Sequence, residues 1–185
     1  MEVRPENAGM SEDRLKWITD HINRNYVDTN KISGCQVLVS RHGHPAYFES
    51  FGKMDVERNI DMADDAIFRI YSMSKPITSI ALMQLYEKGY FQLNDPVSRF
   101  IPEWKGHEVY VSGEGKSMQT KEPDSPMTFR HILSHGAGLT YGNSDHPVDK
   151  EYRKHKADRR KGQTLRSFIE CLAKVPLMYE PGQRW

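Results

Sequence analysis

Apolar positions along the chain change period several times, and each change marks an element. The clearest helical spacing runs through Ile77, Ile80, Ala81 and Leu85, with Leu82 and Met83 beside them, and stops at Gly89, a natural C-cap. A short apolar run, Ile67 to Ile70, leads into this helix, which predicts Ser72 at its mouth. Upstream, Ser11 with Glu12 and Asp13 opens a helix whose Leu15, Ile18, Ile22 and Tyr26 form one stripe. Asn30 to Gly34 ends it. Residues 35–40 and 46–51 then flank Arg41-His42-Gly43-His44-Pro45 and predict a β-hairpin with a glycine-bearing loop. Residues 52–65 are polar and predicted irregular.

Beyond Gly89 the spacing loosens into turns and short helices. Residues 105–126 have no period and many polar positions, the mark of a surface insertion, with Val109-Tyr110-Val111 as one small strand. Thr128 is placed to cap a short helix through Leu133. Thr164 is placed to cap a last helix that buries Leu165, Phe168, Ile169 and Leu172. Between them, residues 148–161 are strongly charged. Acids interleave with the bases and aromatic platforms are missing, so a solvated helix is expected rather than a nucleic-acid surface.

Composition narrows the function. The 26 Lys and Arg against 25 Asp and Glu leave no excess charge for nucleic acid or an anionic membrane. Cys35 and Cys171 make neither a disulfide framework nor a zinc pattern. The first residues carry no apolar signal core and no later run reaches membrane-spanning length, so a cytoplasmic protein without a membrane partner is expected.

The chemistry sits at Ser72 and Lys75. A serine hydroxyl attacks only when a base takes its proton, and a lysine one turn away on the same face serves if burial or a cation favours its neutral form. Pro76 fits because first-turn amides lack intrahelical partners. The helix N-terminus adds free amides where an oxyanion would form. A serine cap with a snorkelling lysine satisfies the same four letters, and a chain this long contains roughly one Ser-x-x-Lys by chance.

Longer blocks add to the tetrapeptide. Phe68-Arg69-Ile70-Tyr71-Ser72-Met73-Ser74-Lys75-Pro76-Ile77-Thr78 resembles the nucleophile region of the serine β-lactamases and penicillin-binding proteins. Leu93-Asn94-Asp95-Pro96-Val97 resembles that family's L-D-D-P-V turn, and Phe100-Ile101-Pro102-Glu103-Trp104 its Y-L-P-E-W segment. Thr128 to Leu139 resembles T-I-R-H-L-L-T-H-T-S-G-L, and Val175 to Trp185 resembles P-L-x-F-x-P-G-x-x-W. The order and spacing are most similar to class C β-lactamases and their carboxylesterase and acyltransferase relatives.

The resemblance implies an α+β sandwich of the β-lactamase type, in which the first helix and hairpin join a five-stranded antiparallel sheet. It implies an acyl-enzyme on Ser72, with the Ser72 amide as half of the oxyanion hole and Lys75 as the base. A small ester is the expected substrate, with an amide, β-lactam or D-peptide substrate, or acyl transfer, as the alternatives. A non-catalytic fragment is the reading from another class. No cofactor or metal is implied. Relatives also use a tyrosine from a Tyr-Ser-Asn or Tyr-Ala-Asn motif and a strand amide from a later motif. Both lie beyond Trp185 in their order, so the chain reads as an N-terminal half whose partner is the C-terminal remainder. Residues 1–104 then hold the helix, hairpin and Ser-x-x-Lys helix, and residues 105–185 the insertion and helical region. Without the remainder, the chain is expected to expose its apolar core face, aggregate and resist labelling by acylating probes. Tyr141-Gly142-Asn143 fits Tyr-x-Asn literally, but its place after His-Gly-Ala-Gly-Leu-Thr implies that Tyr141 and Asn143 line a pocket or pack.

Overall fold

The computed structural model describes residues 2–158 and 161–185. The chain divides into two compact units, one up to Tyr71 and one from Ser72 onward.

In the first unit, Ser11 caps helix α1 (Glu12–Ile22), its hydroxyl accepting the Arg14 amide at 3.4 Å. Glu12 and Asp13 occupy the first turn, where the helix dipole favours acids. The helix runs on through one wider turn, Asn23–Val27. Strand β1 (Gly34–Arg41) then pairs antiparallel with β2 (His44–Asp55). The connection is shorter than the five-residue loop expected from the sequence. Only His42 and Gly43 turn the chain, both left-handed with φ of 53° and 79°, which matches the twist of the flanking strands. Nor is the stretch after Gly52 irregular: β2 continues to Asp55 and returns as β3 (Ile60–Asp61). Polar composition hid this pairing, which rests on backbone bonds and the Lys53–Asp61 ion pair across the strands.

Strand alternation builds the core. Cys35, Val37 and Val39 pack with Leu15, Ile18 and Ile22 of α1 around Tyr47 and Phe51. Leu38 faces the other way and is 54% exposed. The sheet order β1-β2-β3 leaves β1 as an edge strand, and among the described residues the sheet has three strands rather than the five that the sequence resemblance implies.

The second unit opens on helix α2 (Ser74–Glu87), entered through a tight 3₁₀ turn at Tyr71–Met73. Its end is a Schellman closure: the Gly89 amide donates to the Tyr86 carbonyl at 2.9 Å, and the Tyr90 amide to Leu85 at 3.1 Å. Tyr86 stacks 5.9 Å from Phe91, which lies 4.3 Å from Phe129. Elsewhere α2 buries none of its side chains; Ile77 and Ile80 are both more than 60% exposed. Ile67 and Ile70 of the first unit are exposed as well.

Strands β4 (Val109–Ser112) and β5 (Gln119–Lys121) form a second small antiparallel sheet. The segment is therefore not a pure surface insertion. Val109 is buried with Val97, Met127 and Leu177, because the Tyr110 amide donates to the Leu177 carbonyl and the Leu177 amide to Glu108. Helix α3 (Phe129–Leu133) is capped reciprocally, the Thr128 hydroxyl accepting the His131 amide and His131 Nδ1 accepting the Thr128 amide.

Helix α4 (Pro147–Lys154) is amphipathic rather than solvated. Val148, Asp149 and Tyr152 are fully buried against Leu172, Val175 and Phe168, while Lys150 and Lys154 face water. Arg159 and Arg160 of the charged run lie outside the described residues. Helix α5 (Leu165–Leu172) buries Leu172 and partly buries Phe168 and Ile169. Leu165, expected on that face, is 75% exposed because it occupies the first helical position and points off the end. No helix among the described residues is long and apolar enough to cross a membrane.

Candidate active site

Ser72 and Lys75 meet. The Lys75 ammonium donates to the Ser72 hydroxyl oxygen at 2.8 Å, the contact expected of residues one turn apart at a helix start. The first amides of a helical segment have no partner further up the helix, which makes such a turn suited to receive a carbonyl oxygen. Tyr71, immediately before the serine, holds φ at 43°. For a bulky aromatic residue that is a strained conformation, of the kind that collects at functional sites at a cost of about 1–3 kcal/mol. Ser72 and Lys75 are both exposed to solvent.

No hydrogen bond joins Tyr141 or Asn143 to this pair among the described residues. Both point to solvent, Tyr141 with 75% of its surface exposed. The loop that carries them is fastened from beneath by α4. Asp149 accepts the Thr140 hydroxyl at 2.6 Å, the Ser144 amide at 2.8 Å and the Ser144 hydroxyl. The Thr140 amide donates to the Tyr152 hydroxyl at 3.2 Å, and Arg153 Nη1 donates to the Gly142 and Ser144 carbonyls at 2.7 and 2.9 Å. Gly142 is required there: its φ is +73°, and a Cβ would stand 2.9 Å from that of Tyr152. Burial alone pushes the Asp149 carboxyl up, but the bonds from Ser144, Thr140 and the loop amides outweigh it and hold it below the usual range. Burial pushes the Tyr152 phenol up to about 12.

The glycine turn after α3 takes the closing segment of the chain. The Met178 amide donates to Gly138 and the Gly182 amide to Gly136, each at 2.7 Å. A Cβ on Gly138 would stand 2.2 Å from the Tyr179 carbonyl, so only glycine allows the two segments to lie side by side. Val97 and Met127 are likewise joined, the Val97 amide donating to the Met127 carbonyl at 2.9 Å, and Arg130 Nε donates to Asn94. The blocks from Leu93 to Val97, Thr128 to Leu139 and Val175 to Trp185 are thus spatial neighbours that build one scaffold.

The family described as Beta-lactamase matches residues 19–185. The chain belongs to the beta-lactamase family. Esterase EstB of Burkholderia gladioli is 31% identical over 160 residues, a match covering 84% of this chain and 37% of EstB. Among solved structures, EstCE1, a hydrolase with promiscuous acyltransferase activity, is similar with a TM-score of 0.73 at 29% identity, covering 94% of this chain and 42% of EstCE1. Simvastatin synthase LovD from Aspergillus terreus is similar with a TM-score of 0.71 at 25% identity, covering 92% of this chain and 43% of LovD. The chain therefore spans about two fifths of the length of these relatives. Its beta-lactamase-family relatives include hydrolases and acyltransferases, and its fold is the beta-lactamase-like arrangement of sheet and helices over that part.

Three buried or strained residues of this beta-lactamase-family chain are not foreseen from the sequence: Asp149, Tyr71 and His107. Asp149 had one signal, a proline at the first and an acid at the third position of a helix, which reads as an ordinary first-turn acid. Tyr71 had none. Among the described residues no group of three His, Cys, Asp or Glu gathers to hold a metal.

His107 is buried, with Nε2 2.9 Å from the Leu172 carbonyl and Nδ1 without a partner among the described residues. A carbonyl only accepts, so Nε2 carries a proton. Burial lowers its pKa, and the bond to Leu172 opposes this only in part. With the folded value below the unfolded one of about 6.5, the unfolded chain binds more protons as pH falls. His107 thus contributes stability in full above about pH 6.5, and that contribution is lost as pH falls from there through the folded value. Urea unfolding between pH 5 and 8 is expected to show this loss, with a slope of at most about 1.4 kcal/mol per pH unit from one proton. In His107→Phe, which cannot titrate, that part of the slope is expected to vanish.

Proposed function

We propose that this chain carries the nucleophile half of a serine esterase that works through an acyl-enzyme on Ser72. The 2.8 Å contact between Lys75 Nζ and Ser72 Oγ at the start of α2 is the observation that carries the reading. In the forward step Ser72 Oγ attacks the ester carbonyl carbon while its proton passes to Lys75 in its neutral amine form. The C–O bond to the leaving group breaks, and the departing alkoxide takes that proton from the Lys75 ammonium, relayed by the tyrosine acid proposed below. Water, or an alcohol in the acyltransferase variant, then attacks the acyl carbon, giving its proton to the neutral Lys75, and the acyl bond to Ser72 breaks as Ser72 Oγ takes that proton back. Free amides at the helix start receive the negative charge on the carbonyl oxygen.

Two further groups complete such a site, a second oxyanion donor and a tyrosine acid. Both are proposed to come from the remaining length that the relatives have and this chain does not span. That remainder is also the proposed cover for the exposed apolar residues of α2, and its closure would desolvate Lys75 as a base requires. Small carboxylic esters are the proposed substrates, in keeping with the esterase and hydrolase names among the relatives. The acyltransferase names among the relatives keep acyl transfer as the second reading.

A fluorophosphonate tests the reading because it needs only a nucleophilic serine and its base. Lacking one oxyanion donor, the chain is expected to label about 10²–10³-fold slower than a complete site would. Peptide mass spectrometry is expected to find the adduct on Ser72. An adduct on other serines with Ser72 unmodified would overturn the assignment.

A further inference from the structure

Lys75 Nζ donates to Ser72 Oγ at 2.8 Å, and among the described residues it has no other hydrogen-bond partner and no ion pair. Both side chains are exposed. Neither packing nor a counter-charge confines the amine to proton transfer. A lysine amine that has lost its proton is itself a nucleophile toward a carbonyl carbon. In an acyl-enzyme the acyl carbon is bonded directly to Ser72 Oγ, one bond from the atom that Nζ touches. A small side-chain rotation then brings nitrogen and carbon to the near-attack range of about 3–3.5 Å. Well-oriented groups at that range react as if at about 10⁵–10⁸ M, and even a small part of that advantage exceeds what liquid water offers as a competitor.

We propose that Lys75 is a terminal acyl acceptor in this chain: acyl groups that enter on Ser72 pass to the Lys75 amine and stay there as amides. The proposal rests on the reading of Ser72 as the acylated nucleophile. Neutral Nζ attacks the ester carbonyl carbon, a C–N bond forms, and the C–O bond to Ser72 breaks. Ser72 Oγ takes the proton that the nitrogen gives up, so an ester and an amine become an alcohol and an amide. The reverse step needs an acid to protonate the departing nitrogen, since an amine does not leave as its anion. That acid is the tyrosine proposed to lie in the remainder, so in this chain the amide accumulates. The substrate class is an activated carboxylic ester, whose leaving group departs as a stable anion without that acid. Each transfer consumes the base, so the chain is expected to stop after about one turnover.

The test is a pulse and chase with p-nitrophenyl acetate. The chain meets the ester briefly, is freed of it by rapid gel filtration, and is quenched in acid at intervals for peptide mass spectrometry. Acetyl is expected on Ser72 first and on Lys75 later, the second rising as the first falls. Alkaline hydroxylamine strips the serine ester and spares the amide, which separates the two. Direct acetylation by the reagent sets the background, read at Lys88 and Lys105, which are exposed as well. Lys75 is expected to exceed them about tenfold or more, and in Ser72→Ala to fall to their level. A burst of about one equivalent of p-nitrophenolate, with activity that hydroxylamine does not restore, is the matching kinetic result. Lys75 no more acetylated than Lys88 overturns the inference, and a Ser72 that still takes acetyl or fluorophosphonate leaves its reading standing. Lys75 acetylation undiminished in Ser72→Ala overturns the inference as well, because the amine then reacts without the serine. Acetyl and fluorophosphonate on other serines with Ser72 unmodified would end the reading and the inference together.

Discussion

Ser72→Ala is expected to abolish fluorophosphonate labelling and to lower p-nitrophenyl acetate turnover to the uncatalysed rate, a loss of about 10⁴-fold or more in an assembled site. The alanine removes only the attacking oxygen. It leaves α2, its Schellman end and the aromatic contact of Tyr86 with Phe91 in place, so far-ultraviolet circular dichroism should not change. Ser74→Ala is the matched control. At about 100° per residue Ser74 lies on the far side of the helix from Ser72, whereas Lys75 comes back to within about 60°. Labelling of Ser74→Ala is expected within a few-fold of wild type. Full labelling of the Ser72 variant would end the nucleophile assignment, whatever became of the fold.

Lys75→Arg separates a base from a structural cation. Arginine keeps the charge and the reach to Ser72 Oγ, so a lysine that only held the serine in place would survive the exchange with near-normal turnover. Arginine does not give up a proton near neutral pH. A base role therefore predicts a loss of about 10²–10⁴-fold in kcat, with KM for p-nitrophenyl acetate little changed, measured under saturating ester.

Elements whose sequence pattern is their structural cause were legible before any coordinates. The caps at Ser11, Thr128 and Thr164, the closure at Gly89, and the Ser72–Lys75 spacing all follow from local geometry. What stayed hidden depends on partners distant in the chain. Nothing near Val109 announces that its strand will lie beside Leu177, and nothing in a charged run announces that Asp149 and Tyr152 are its inward face. The hairpin turn was misread for a different reason: Pro45 looks like a loop residue, yet at the start of β2 it costs only one ladder donor. The opposite error touched Leu165, where correct helical periodicity says nothing about whether the first residue has anything to pack against.

The left-handed backbone of Tyr71 sets what natural or laboratory selection can do at this position. Its ring is 76% exposed, so replacing it forfeits little packing. Glycine relieves about 1–3 kcal/mol of strain and gives back about 0.4–1 kcal/mol in unfolded-state entropy. Variants chosen only for heat resistance are therefore expected to drift to glycine at residue 71. Variants chosen for turnover should keep a side chain there, since a glycine would free the peptide leading into the nucleophile to wander among conformations that aim Ser72 elsewhere.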